Sequence, residues 1–295
     1  MKTILVTGGL GFIGRNLIKQ LKGYKVICFD NEFRWKKNDF DVSCEFIKGD
    51  ICDETLIETY IKKSDIVIHL ASISQVRTAI DNPDLCFKYN VIGTKNVAKY
   101  CSLHKKKLIF ASSREVYGNQ ENLPVLVNSN LNPLNSYGYS KKISENIIEM
   151  YSNTSGLNYN ILRLSNIYGN DDKNRVIPIF IDKSIKNEDL IIYGNNKIID
   201  FLNIQDFIEL ILIIINSDFK NKTYNVGSGT KTTLEDLAKL VLSVSKSKSK
   251  ILFKPSIDGE VDTFQADISL TIKEFKWKPE ITLKQGLKSI INQGE

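Results

Sequence analysis

The chain of 295 residues is 42% hydrophobic and 25% charged, an ordinary globular composition with length for one large or two modest domains. Its longest apolar stretch, at 210–215, falls far short of the ~20 residues a membrane-spanning helix needs, and Met1 leads straight into a strand-like segment, so a cytoplasmic protein with no membrane partner is expected. The net charge of +6 is spread over short lysine groups such as 105–107 instead of gathering with aromatics on one face, which argues against nucleic acid and suits an anionic small-molecule substrate.

Apolar runs alternate with helical segments from the first residues onward. Strands are predicted at 3–7, 25–29, 45–48, 66–70, 107–111 and 160–164, and helices opening near Gly11, Asp53, Pro83 and Ser136, each at a small, polar or proline residue. That alternation predicts an α/β fold, an open, doubly wound parallel sheet, over 1–165. Beyond Asn166 the elements shorten between turn signals at 168–174, 194–196, 227–230 and 258–259, as in a smaller α/β domain over 166–295.

The first strand runs into Thr7-Gly8-Gly9-Leu10-Gly11-Phe12-Ile13-Gly14 and then an amphipathic helix. Glycines there permit a tight turn and a close backbone approach to a pyrophosphate, which the helix N-terminus attracts. The second strand ends at Asp30, followed by Asn31. A carboxylate at Asp30 can accept from the adenosine ribose hydroxyls and repels a 2′-phosphate, so NAD is the expected cofactor, although Arg34, Lys36 and Lys37 follow closely. Asp50 and Ile51, after the third strand, are placed to meet the adenine.

Tyr137 and Lys141 stand four apart, so on a helix both face one way. A tyrosine is a weak base at neutral pH, and a neighbouring ammonium favours its phenolate. Ser112 and Ser113 end the fifth strand at the carboxyl edge of the sheet, where ligands of such folds bind. The five cysteines include no Cys-x-x-Cys pair and read as reduced thiols, and with only two histidines no metal site is expected.

Together these residues resemble the extended short-chain dehydrogenase/reductase family, specifically its NAD-dependent nucleotide-sugar epimerases and dehydratases. The likeness spans nearly the whole chain through His69-Leu70-Ala71-Ser72, Asn90-Val91-Ile92-Gly93-Thr94, Ser113-Arg114-Glu115-Val116-Tyr117-Gly118, the 163–169 stretch containing Asn166, and Tyr224-Asn225-Val226-Gly227-Ser228-Gly229. The resemblance implies a Rossmann domain binding NAD through the glycine loop, Asp30, Asn31, Asp50, Ile51, Leu70, Ala71, Ser72, Asn90, Tyr137 and Lys141. It implies that Tyr137 takes a proton from a sugar hydroxyl at C4, that Ser113 bonds the same oxygen, and that Asn166 meets the substrate near its diphosphate; Arg114, by its own chemistry, could hold an anionic group of the substrate. It further implies a capping second domain, with about 198–216 returning to the first, and a homodimer built from the helices near Pro83 and Ser136.

The sequence departs from that pattern at Ile199 and Ile257, where family members often carry arginines that grip the diphosphate; Arg175 and Lys254 stand as replacements. Glu115 decides between outcomes. A 4-epimerase needs no further base, whereas a 4,6-dehydratase or decarboxylase would use Glu115, and Arg114 occupies the place of the acid that some dehydratases use to protonate a leaving hydroxyl. A non-catalytic dinucleotide-binding protein is the third reading, and the intact Ser113, Tyr137 and Lys141 set argues against it.

Overall fold

In a computed structural model, the structure describes residues 1–39, 44–173, 175–194, 197–219, 221–256 and 259–293. The strands are β1 (Thr3–Thr7), β2 (Lys25–Asp30), β3 (Glu45–Lys48), β4 (Ile66–His69), β5 (Lys107–Ser113), β6 (Asn158–Leu164), β7 (Asn166–Tyr168), β8 (Leu190–Tyr193), β9 (Ile198–Ile199), β10 (Phe201–Asn203), β11 (Lys222–Val226), β12 (Thr232–Thr233) and β13 (Ile251–Lys254). The helices are α1 (Phe12–Gln20), α2 (Glu54–Lys62), α3 (Val76–Asp81), α4 (Pro83–Phe87), α5 (Thr94–Leu103), α6 (Ser136–Ser155), α7 (Val176–Ile185), α8 (Ile204–Ile215), α9 (Leu234–Ser245), α10 (Ser269–Phe275) and α11 (Leu283–Gln293).

Seven strands form one sheet in the order β11-β6-β5-β4-β1-β2-β3, with β3, β2, β1, β4 and β5 running parallel. This is the Rossmann-type, doubly wound arrangement that the alternation predicts. The order reverses between β1 and β4, and in such sheets ligands bind beyond the carboxyl ends of the strands at that switch. The near-continuous apolar character of β1, β4 and β5 follows from burial on both faces; Leu5, Val67, Leu108 and Phe110 lie in one core with Val97 and Ile161.

The helix predicted near Pro83 is composite: α4 passes through a π-helical stretch, Lys88–Gly93, into α5. Crowding accounts for its glycine, since a Cβ on Gly93 would lie 2.4 Å from Ile51 Cδ1. Val97 and Ile148 lie in the core beside the sheet, and the half-buried Leu85 packs against the cluster of Ile73, Ala79, Cys86 and Tyr137.

Backbone contacts divide the chain into two compact units. The first is 1–118, 130–163 and 211–224; the second is 119–129, 164–210 and 225–295. In the second, β7 pairs with β10, β9 with β12 and β8 with β13, around a core that includes Phe180, Leu190, Ile192, Ile199 and Leu237. Ile199 thus fills apolar space at a position where members of the family it resembles often carry an arginine. Ile257, with Asp258 of the 258–259 turn, lies outside the described residues, as do Asn174, Asn195 and Asn196 of the other turn signals.

Candidate active site

The glycine loop closes the end of β1. Gly8 has φ of +69°, and a Cβ there would lie 2.6 Å from the Ala71 nitrogen, so the loop and the end of β4 approach as bare backbones. A Cβ on Gly14 would lie 2.6 Å from the Gly8 carbonyl, which is how α1 comes so close under the loop. Gly11 precedes α1 without a side-chain cap, leaving the amides of Phe12 and Ile13 at the helix mouth with its positive dipole end. These features form the cradle a pyrophosphate requires.

Asp30 flanks the loop. Its Oδ2 accepts from the Leu10 amide at 3.1 Å and its Oδ1 from the Glu32 amide at 2.8 Å, which fix the carboxylate beside the loop. Burial raises its pKa from the usual carboxylate value, and those two amides work against the rise. Asn31 turns onto its own loop, accepting from the Phe33 amide at 3.0 Å. Asp50 accepts from the Cys52 amide at 2.8 Å, and the Ile51 carbonyl accepts from Asn96 Nδ2 at 3.1 Å.

At the end of β4 the Leu70 and Ala71 amides reach back to the Thr7 carbonyl and hydroxyl at 3.1 and 3.4 Å. Asn90 holds the loop that follows Ser72: its Oδ1 accepts from the Ile73 amide at 2.8 Å, while Nδ2 donates to the Ile73 carbonyl at 3.1 Å and to Ser140 Oγ at 2.9 Å. Its carboxamide is therefore engaged in tying this loop to α6.

Ser113, the last residue of β5, opens a 3-10 turn and accepts from the Glu115 amide at 3.2 Å. Helix α6 begins beside that turn, because Asn135 caps it by accepting from the Gly138 amide at 2.9 Å. Gly138 lets the two backbones meet; a Cβ there would sit 2.5 Å from the Glu115 carbonyl. Tyr137, in the first turn of α6, is thereby brought to the β5 end with Lys141 one turn on.

Lys141 is 2% exposed. Its ammonium donates to the Ala111 carbonyl at 2.8 Å and lies 4.7 Å from the Phe110 ring centre and 5.9 Å from that of Tyr137. Burial pushes its pKa down to about 8, and the neighbouring Cys86 and Glu145 oppose that fall. It stays charged at neutral pH, and a charge in so dry a place acts strongly on the tyrosine beside it.

Glu115 is buried, and both of its oxygens are engaged. Oε1 pairs with Arg114 Nη2 at 3.1 Å, and Oε2 accepts from Asn135 Nδ2 at 2.9 Å. Asn135 is a residue that sequence reasoning passed over, although an asparagine immediately ahead of a helical segment is itself a capping signal. In the second unit, Asn166 starts β7 with its amide donating to the Asp200 carbonyl at 3.0 Å, and Arg175 precedes α7, donating from Nη1 to the Ile167 carbonyl at 3.2 Å. Asp200, also passed over, gathers the Ser228, Gly229 and Ala266 amides at 2.7, 3.0 and 3.1 Å.

Among the described residues no group of three or more His, Cys, Asp or Glu could hold a metal ion, and no helix is long and apolar enough to cross a membrane. The family model described as NAD dependent epimerase/dehydratase matches residues 4–227. A Methanocaldococcus jannaschii protein named "Putative UDP-glucose 4-epimerase" is 38% identical over 299 residues, covering 98% of this chain and 97% of its own. A UDP-N-acetyl-alpha-D-glucosaminuronate decarboxylase of Bacillus cytotoxicus is 28% identical over 98% of this chain and 97% of its own. The solved structure of the Thermotoga maritima UDP-glucose 4-epimerase with UDP-glucose has a TM-score of 0.92 at 28% identity, covering 98% of this chain and 97% of that one.

Proposed function

The chain belongs to the NAD dependent epimerase/dehydratase family, and from that premise we propose that it is a UDP-sugar 4-epimerase working by transient oxidation at C4. The observation that carries epimerisation over elimination is the state of Glu115, whose two oxygens are occupied by Arg114 and Asn135. With Oε1 on Arg114 and Oε2 on Asn135, neither oxygen is left to meet a proton on a substrate carbon. Elimination or decarboxylation would require its release from both partners.

NAD, when bound, accepts the C4 hydride and returns it. The amides around Gly8, Gly11, Phe12, Ile13 and Gly14 would hold its pyrophosphate, Asp30 and Asn31 its adenosine ribose, Asp50 and Ile51 the adenine, and Leu70, Ala71 and Ser72 the face at the switch point. Asn90 serves this site from behind through Ile73.

Tyr137 takes the proton of the C4 hydroxyl while the C4–H electron pair leaves with the hydride, which turns C4 into a ketone. Ser113 Oγ bonds the same oxygen and steadies it through the change. The Lys141 ammonium favours the Tyr137 phenolate and would also bond the nicotinamide ribose. Once the ketone presented its other face, Tyr137 would give the proton back to the C4 oxygen, with neither water nor carbon dioxide lost. We assign Asn166 and Arg175 to the diphosphate and Arg114 to the sugar side.

The exposed apolar residues of α4 to α6, Phe87, Ile92, Ile143 and Met150, support a homodimer formed by this face. Its test is light scattering at micromolar protein, where a monomer would count against it. Five free cysteines fit a reducing, cytoplasmic setting. Incubation with NAD and a panel of UDP-, dTDP-, GDP- and CDP-sugars, analysed by NMR, tests the substrate class: interconversion of UDP-glucose and UDP-galactose is expected, and conversion of a non-uridine sugar alone would refute it.

A further inference from the structure

Behind Ser113, Tyr137 and Lys141 lies a second group of buried polar side chains that the proton transfer does not use. Glu145, one turn beyond Lys141 on α6, is 1% exposed. Its Oε1 accepts from Ser112 Oγ at 2.5 Å and from Arg163 Nε at 3.0 Å, and its Oε2 accepts from Arg163 Nη2 at 2.7 Å. Arg163, on β6, also donates from Nη1 to the Tyr117 hydroxyl at 2.9 Å and stacks over that ring at 4.9 Å.

Two successive turns of α6 are thus pinned to the last residues of β5, Lys141 to the Ala111 carbonyl and Glu145 to the Ser112 hydroxyl. Ser113 is the next residue. A buried ion pair contributes little net stability, because desolvating both ions offsets their attraction, but its directional bonds fix geometry. Sliding α6 along β5 would break the hydrogen bonds of Glu145 to Ser112 and Arg163 and move Tyr137 relative to Ser113.

We propose that Glu145 is a positioning residue for the proton transfer: with Arg163 as counter-ion it fixes Tyr137 and Lys141 against Ser113 and supplies a fixed negative charge that Lys141 faces. This rests on assigning the reaction to those three side chains. Lys141 also faces Cys86 from α4, His69 from β4 and Tyr137 from its own helix, while Glu145 is faced by Arg163, Glu149 and Tyr159. Burial raises the Cys86 thiol, which keeps it neutral near pH 7, so Glu145 is the carboxylate that holds the Lys141 ammonium up.

The test follows the Lys141 titration by NMR of the ¹⁵N-lysine-labelled full chain without cofactor, its signal identified by loss in Lys141→Met. In Glu145→Gln the carboxylate charge goes and Arg163 stays, so the Lys141 midpoint should fall by roughly one pH unit. In Glu145→Gln/Arg163→Met both charges go, and the midpoint should return toward wild type. Glu145→Asp keeps the charge and shortens the reach, so the midpoint should hold while single-turnover reduction of NAD by UDP-glucose slows about tenfold or more. An unchanged midpoint in folded Glu145→Gln, or a full rate in Glu145→Asp, overturns the proposal; if Glu145→Gln does not fold, Glu145→Asp decides. A wild-type protein that reduces no NAD with any UDP-sugar sinks the reaction assignment instead, and the Lys141 titration then still decides the role of Glu145.

Discussion

His69 is wholly buried at the end of β4, with Nδ1 2.6 Å from Thr7 Oγ1, Nε2 3.0 Å from Thr94 Oγ1 and its ring 5.6 Å from that of Phe110. Burial, reinforced by the Lys141 charge, pushes its pKa from the ordinary 6.5 down to about 3. The unfolded chain therefore takes up a proton in that window that the folded chain refuses. The stability due to the neutral ring is complete above 6.5 and is lost as pH falls toward 3. At about 1.4 kcal/mol per pH unit, the full window is worth about 4 to 5 kcal/mol, and the fall from pH 7 to 5 about 2 kcal/mol. His69→Gln keeps hydrogen-bonding groups for Thr7 and Thr94 but does not titrate there. Urea unfolding followed by tryptophan fluorescence at pH 7 and pH 5 should show the wild type losing about 2 kcal/mol more than the variant over that interval. Equal losses in the two proteins would refute the reasoning.

Three further outcomes follow from the site. Asp30→Ala removes the carboxylate that repels a 2′-phosphate, so the preference for NAD over NADP should relax by about tenfold or more in binding titrations; an unchanged preference would mean that discrimination lies elsewhere. Tyr137→Phe removes the acid–base oxygen with little change in packing and should lower turnover by about 10³-fold while NAD affinity by calorimetry is largely kept; wild-type turnover would contradict the mechanism. Glu115→Gln should still reduce NAD with UDP-glucose in a single turnover within about threefold of wild type, and a loss of a hundredfold would make Glu115 a participant.

The cofactor end was legible because its chemistry is local. Gly8, Gly14 and Asp30 announce themselves through short spacings that a strand, a turn and a helix mouth impose on a few consecutive residues. Tyr137 and Lys141 were legible through helical spacing. The supports were not, because their partners are far apart in sequence: Glu145 meets Ser112 and Arg163, and His69 meets Thr7 and Thr94 across 62 and 25 residues. The same limit hid the pairing of Glu115 with Asn135 and the grouping of 119–129 with the second unit. Ile199 read as a missing arginine in the pattern, and its burial in the second core shows a residue answering to packing.

In the proposed reaction hydride leaves C4 and comes back to the same carbon. Mass and NMR analysis of the product from UDP-glucose deuterated at C4 tests it most directly. UDP-galactose of unchanged mass with deuterium still on C4 is expected; loss of the deuterium, of water or of carbon dioxide would rule this route out.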